Sequence, residues 1–388
     1  MGRDEVGVKP GNPGRNMLRG LLVACLALGL SACSSPFDGL LRDLAHQRTV
    51  RAARVEGALL IYANTGDVEA APVVNAFRRR YPGIAVTFAR QNASELHARY
   101  LSESQQGRLT ADLVWSSAMD QQIKLINDGY AQTYVSTEKS ALPSWAVWKD
   151  QGYGVTAEPI VFAYDRRRLD PAKAPQSHAA LRRALERHEL GGPVATFDLE
   201  RSGVGFLSYS QDRVAWADTL ALNRAMGAVG VRLYTSTSTL LQDLGDGEAA
   251  FGYNIIGSYA QGQHQQNPNL VVVYPSDYTL VMSRIAFISR RAGHPNAAKL
   301  FLDFILSREG QQLLAEGSLR PVRRDLAGGG VPGPAESVAR PIEVGPSLLA
   351  NLDQMRRARL LADWQAAIGP NRTYDLRRAR DSLATGKP

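Results

Sequence analysis

Two rhythms of apolar residues alternate along the chain. Ala58-Leu59-Leu60-Ile61-Tyr62 is an unbroken apolar run, the pattern of a buried parallel strand. Beyond the loop Ala63-Asn64-Thr65-Gly66-Asp67, residues Val73, Val74, Phe77 and Tyr81 return at helical spacing until Pro82-Gly83 stops them. Ile84, Val86 and Phe88 then alternate as a second strand, which makes a βαβ opening. The unit repeats with a helix around Leu96, Tyr100 and Leu101, a strand at Asp112-Leu113-Val114-Trp115 and a helix carrying Ile123, Leu125 and Ile126 to Gly129. Gly154 to Asp165 predicts an extended crossover. Beyond it come a helix over 176–190, a strand at Pro193–Phe197 and another helix after Arg201-Ser202-Gly203. Leu240–Leu244 predicts a short helix and Ala249–Ile255 a strand, before a second extended passage at Leu270–Pro275 and Ser283–Ile288. Ala297–Gly317 and Leu348–Ile368 read as helices, with a Gly/Pro-rich surface loop from Gly328 to Arg340. Alternating βα units of this length predict two α/β lobes joined by two crossovers. The expected division is 57–157 with 284–388, including the C-terminal helices, for lobe 1, and 158–283 for lobe 2.

Ahead of these units the pattern changes. Arg19 precedes ten apolar residues, Leu21 to Leu30, and Leu30-Ser31-Ala32-Cys33 closes the run. Ten residues are too few to span a bilayer as a helix but suit a signal-peptide core. The last four resemble the lipobox of bacterial lipoproteins, in which the cysteine receives lipid and becomes the first mature residue. Residues 1–32 are therefore expected to be a lipoprotein signal peptide, with 1–16 an extension ahead of a start at Met17. Residues 33–56 form a polar tether, and Cys33 carries the membrane anchor in the periplasm. An ordinary signal peptide, or a buried helix with an incidental cysteine, are the plainer alternatives.

Composition narrows the function. Lys and Arg outnumber Asp and Glu by 45 to 37, for a net charge of +8, but the arginines are scattered in clusters as short as Arg78-Arg79-Arg80. Scattered charge in an exported chain argues against nucleic acid. Cys25 leaves with the signal and Cys33 is occupied, so no disulfide is expected. The six histidines show no metal-ligand spacing, and neither a Gly-x-Ser-x-Gly elbow nor a Walker loop occurs. Gly203-Val204-Gly205-Phe206-Leu207-Ser208 lacks the third glycine of a dinucleotide fingerprint. No enzyme and no cofactor is expected.

Later stretches carry a resemblance. Leu302-Asp303-Phe304-Ile305-Leu306-Ser307-Arg308-Glu309-Gly310-Gln311 with Leu319-Arg320-Pro321-Val322-Arg323, Tyr274–Tyr278 with Ser283–Ile288, and Gly345–Leu349 with Trp364 follow one another in the order found in the extracellular solute-binding proteins of ABC importers. The chain resembles their iron(III)-type branch, and within it the phosphoglycerate- and hexose-phosphate-binding members. That likeness implies a type II-like periplasmic-binding-protein fold that captures a solute between its lobes. It further implies a hinge near Glu158-Pro159 and Pro275-Ser276-Asp277, delivery to a membrane permease and its ATPase, and action as a monomer. A ligand-sensing lipoprotein that touches a membrane histidine kinase needs the same cleft.

Within that cleft, three loops precede helices: Asn64-Thr65-Gly66-Asp67, Ser116-Ser117-Ala118 and Arg201-Ser202-Gly203. Helix N-termini offer unpaired amides and a positive dipole end to an anion, and Arg201 adds a fork for phosphate or carboxylate. The plain alternative is that these residues are ordinary N-caps. In the iron-binding members two adjacent tyrosines hold the metal. Here the matching stretch, Tyr253-Asn254-Ile255-Ile256-Gly257-Ser258-Tyr259, keeps Tyr259 alone and places Ser258 beside it. Losing one phenolate weakens a hard-metal site, so the expected ligand is a small organic anion, with ferric ion the rival. Asn254, Ser258 and Tyr259 are the expected lining residues from lobe 2.

Overall fold

The computed structural model describes residues 1–2, 36–326 and 329–374. Cys33, the apolar run before it and the signal-peptide expectation lie outside the described residues. The chain divides into two compact units, Met1–Arg48 and Thr49–Pro388, and both sheets belong to the second.

Most of the expected tether is a helix, α1 (Pro36–Glu56). Leu, Arg, Ala and Gln dominate its later turns, and all favour helix. Its end is anchored: Ala53 is buried in a core cluster with Leu59 and Ile61, and the Glu56 carboxylate accepts from the amides of Asn296 and Ala297.

The first sheet is built from β1 (Ala58–Ala63), β2 (Ala85–Arg90), β3 (Leu113–Ser116), β4 (Val147–Trp148), β5 (Gly152–Gly154) and β12 (Ile285–Ile288). Its order is β2-β1-β3-β12-β5-β4, with β1 parallel to both neighbours and β12 antiparallel to β3. Helices α2 (Asp67–Arg80), α3 (Ala93–Gln105) and α4 (Met119–Asn127) follow its parallel strands, as the periodicity requires.

The second sheet contains β6 (Glu158–Asp165), β7 (Val194–Phe197), β8 (Val231–Tyr234), β9 (Phe251–Ile256), β10 (Leu270–Val273), β11 (Thr279–Met282), β13 (Ala339–Pro341) and β14 (Arg372–Tyr374). It is ordered β13-β11-β6-β9-β7-β8-β14, and β10 also pairs with β6. Its helices are α5 (His178–Glu186), α6 (Gly203–Ala215), α7 (Thr219–Val229), α8 (Thr237–Asp246) and α9 (Gly257–Gln266). The expected helix at 297–317 is two, α10 (Pro295–Leu306) and α11 (Arg308–Glu316), because Ser307 is extended and its hydroxyl caps α11 at the Gly310 amide. Residues Pro346–Leu352 form a 3-10 helix before α12 (Gln354–Ile368).

Two expectations about organisation change. The second crossover runs through Ser283 and Arg284 rather than Pro275–Asp277, because Thr279–Met282 still pairs with β6 and β13 in the second sheet. The last helix, with the strands β13 and β14, also departs from lobe 1. Strand β13 joins β11, β14 joins β8, and Trp364 and Ile368 of α12 pack into the core of the second sheet with Leu222 and Met226. The apolar face of α12 identifies a packing helix but carries no address for the sheet it covers.

Candidate functional site

Both crossovers deliver a charge to the same buried point. Chain passes from β5 to β6 through Val155–Ala157, which brings Glu158 to the start of β6, and from β11 to β12 through Ser283-Arg284. Glu158 and Arg284 are 0% and 1% exposed, and their fork–fork contact measures 2.8 Å (Nε to Oε1) and 3.1 Å (Nη2 to Oε2). Taking two ions out of water is costly, so a pair like this survives only where every remaining donor is used. Here they are used. Thr156 Oγ1 donates to Glu158 Oε1 at 2.9 Å and accepts the Arg284 amide at 2.9 Å. The Ser258 hydroxyl donates to Glu158 Oε2, Arg284 Nη1 donates to Thr65 Oγ1 at 3.3 Å, and the guanidinium stands 5.5 Å from the ring centre of Tyr259. Burial opposes the charge on Arg284, but Glu158 overrides it and holds the guanidinium above its ordinary range. Thr65 from the β1–α2 loop thus meets Ser258 and Tyr259 from α9 across one ion pair.

Gln311 of α11, fully buried, ties the first crossover to lobe 1. Its amide donates to the carbonyls of Val155 and Ile305 at 2.9 Å and its oxygen accepts from the Val322 amide at 2.8 Å. A side chain on Gly310 would meet the Phe304 carbonyl at 1.9 Å, so the glycine is required for α11 to fold back on α10.

The two lobe-1 loops clasp one another. Asn64 Nδ2 donates to Ser117 Oγ at 2.8 Å, and the Ser117 amide donates to Asn64 Oδ1 at 2.9 Å. Ser116 Oγ accepts from the Ala118 amide at 3.2 Å. Asn64 is therefore a brace between loops. Gly66 stands at the N-cap position of α2, where Glu69 folds back over it, and Asp67 is the exposed first residue of that helix.

In the second lobe, Asn254 belongs to a different constellation. It lies inside β9 with φ +60°, at a register shift where Val161 faces Ile255 but Ala163 faces Gly252. The extra residue turns Tyr253 and Asn254 inward, a β-bulge of the kind that re-aims side chains beside sites. Both converge on Asp212 of α6, which is 0% exposed: the Tyr253 hydroxyl donates at 2.6 Å and Asn254 Nδ2 at 2.7 Å. The Tyr278 hydroxyl adds a third bond at 2.7 Å, and its ring stacks on His178 at 4.0 Å. Burial, reinforced by the Asp212 charge, pushes both phenols well above their ordinary range.

The expected loops differ in how they meet their helices. Ser202 caps α6 in the ordinary way, its hydroxyl accepting from the Gly205 amide at 3.1 Å, while Gly203 and Arg201 are exposed and have no contact with the other expected residues. By contrast α2, α4 and α9 begin at Gly66, Ala118 and Ile256 with no side-chain cap. Asn92, Ser177, Ser236, Ser307 and Asp353 cap the N-termini of other helices, while α7 and α10 also start without a side-chain cap. Among the described residues no three His, Cys, Asp or Glu side chains gather as a metal set.

Glu158, Arg284, Asp212, Tyr278 and Gln311 were not among the expected site residues. The clearest signal in sequence was Arg284, a charge set directly before the apolar run Ile285-Ala286-Phe287-Ile288. Such a residue is buried only if something distant neutralises it.

Comparison with known proteins bears on the family and the fold. Residues 73–332 match the family model described as bacterial extracellular solute-binding protein. A substrate-binding protein of an ABC transporter from Agrobacterium tumefaciens is similar over 80% of this chain and 94% of its own, at 37% identity and TM-score 0.74. Iron-bound HitA from Pseudomonas aeruginosa (18% identity, TM-score 0.64, 80% of this chain and 99% of its own) shares the fold. So does AfuA from Actinobacillus pleuropneumoniae with fructose-6-phosphate bound (20%, TM-score 0.62, 80% and 98%). No curated protein sequence matches the chain.

Proposed function

The chain belongs to the bacterial extracellular solute-binding protein family, and from that premise we propose that it is the component of an ABC importer that captures a small anion, an organic phosphate or carboxylate, between its lobes. One observation carries the choice of an anion: α2, α4 and α9 open uncapped at the carboxyl ends of β1, β3 and β9, around the buried Arg284. Their amides and dipole ends favour negative charge. Ferric ion is disfavoured at the same place, because Ser258, which stands beside Tyr259, supplies a hydroxyl bonded to Glu158 in place of a second phenolate. Rotation about 155–157 and 283–284 closes the lobes over the solute, and the closed form docks as a monomer on a permease served by an ATPase. Solute binding must favour the closed state, since equal affinity for both would move nothing. Lipid on Cys33 holds the protein at the membrane outside the cytoplasm. A histidine kinase in place of the permease would use the same closure.

Thermal-shift measurements with phosphomonoesters, dicarboxylates and ferric citrate test the reading. A rise in melting temperature with an organic anion is expected. Stabilisation by ferric ion alone would overturn it.

A further inference from the structure

The buried and half-buried arginines are not equivalent. Arg284 is neutralised by Glu158, Arg357 lies over the Phe206 ring at 4.0 Å and faces the buried Asp120, and Arg323 is paired with Asp325 and Glu138. Arg320 has no such partner. Its guanidinium makes no ion pair or hydrogen bond to any described residue, and its Nε is sealed from solvent without an acceptor.

Its place is fixed by the backbone around it. The Arg320 carbonyl accepts from the Ala157 amide at 2.8 Å, and Pro321 bridges to Thr156, so it hangs on the first crossover one step from Glu158. Gly317 abuts α2, where a Cβ would come within 2.3 Å of the Glu69 carbonyl, and Ser318 adopts φ +62° to turn the chain. Gly333 lies flat on the guanidinium, since a Cβ there would sit 2.4 Å from Nε. Tyr274, which packs with Tyr259 against one apolar cluster of the second lobe, lies close enough to Arg320 to act on its charge. Burial pushes the Arg320 pKa down, and the influence of Tyr274 restores only part of it. Arginine does not give up its proton in a protein, so this is a desolvated cation without a counter-charge. Holding one costs free energy that an arriving anion returns.

We propose that Arg320 is the residue that pairs with the solute, its planar fork binding two oxygens of a phosphate or carboxylate group beside Tyr274. The inference rests on the anionic-solute reading and assigns the specificity-determining charge within it. Arg284, already saturated by Glu158, positions the cleft.

Calorimetric titration of the full chain with glycerol 3-phosphate and with succinate, on wild type, R320Q and R320K, tests it and separates the two oxyanion sources. R320Q is expected to weaken the bound probe by about 10- to 100-fold, the loss of a charge-assisted hydrogen-bond pair. R320K should fall between, keeping charge without the fork. Without probe, R320Q should melt no lower than wild type, since it removes an uncompensated buried charge. Should the variants not fold, phenylglyoxal labelling of the wild type gives a second readout: Arg320 should be modified in the free protein and protected by the probe. Equal affinity of wild type and R320Q, or labelling indifferent to the probe, would overturn the role of Arg320 alone. Failure of the wild type to bind either probe would overturn the anionic-solute reading and this inference with it.

Discussion

Glu158 and Arg284 show how much one contact can cost when half of it is removed. Each is buried beyond the reach of water, so deleting one charge strands the other, at about 3–5 kcal/mol. Arg284→Met and Glu158→Gln should each lower the unfolding free energy by that amount in urea titrations, while the double variant Glu158→Leu with Arg284→Met should recover much of the loss. At Asp277, burial pushes the carboxyl up, but the hydrogen bond and charge of His178 outweigh burial and bring it down to about 2. A folded pKa below the unfolded 3.8 means the stabilisation is complete above about pH 4 and disappears as pH falls toward 2. Its size is about 1–2 kcal/mol once partial exposure is allowed for. Asp277→Asn should flatten stability against pH in that window. At this scale the chain was partly legible: a serine before a helix reads as a cap, and Ser202 is one. Ser117 and Asn64 look the same in sequence, yet they brace one loop against another. A hydroxyl's partner depends on what the fold brings near it.

Helices and strands were legible wherever periodicity was unbroken, and least so where an element ends or pairs at distance. Glycine marks one such place. In α7, a side chain on Gly227 would come within 2.3 Å of the Ile368 carbonyl, so α12 approaches α7 through the missing Cβ. Gly227→Ala should lift α12 and cost about 1–3 kcal/mol, read as a lowered urea midpoint. Gly203→Ala, at a helical position with open space around it, should be neutral or stabilising. The bulge that turns Asn254 toward Asp212 has no signature in the run Phe251–Ile256, because it arises from the register of β9 against β6.

As a whole, the molecule joins its two sheets through chain segments that meet at one ion pair, and the proposed solute cleft and hinge lie there. Membrane attachment belongs to the same scale. Lipid on Cys33 should hold the protein in the membrane fraction, and Cys33→Ser should move it to the soluble fraction with solute affinity unchanged. A fall in affinity would show that the anchor does more than hold.

The sequence by itself determined an α/β chain of alternating units, two extended passages between lobes, and a family likeness carried by the order of its later segments. These follow from local periodicity and spacing, which short-range sterics and burial impose. Only the tertiary structure decided that Ser283-Arg284 is the second crossing, that α12 covers the second sheet, and which arginine is left unpaired. Each of those depends on what lies across the fold, where neutralising a charge or filling the space beside a glycine is settled by residues far away in the chain.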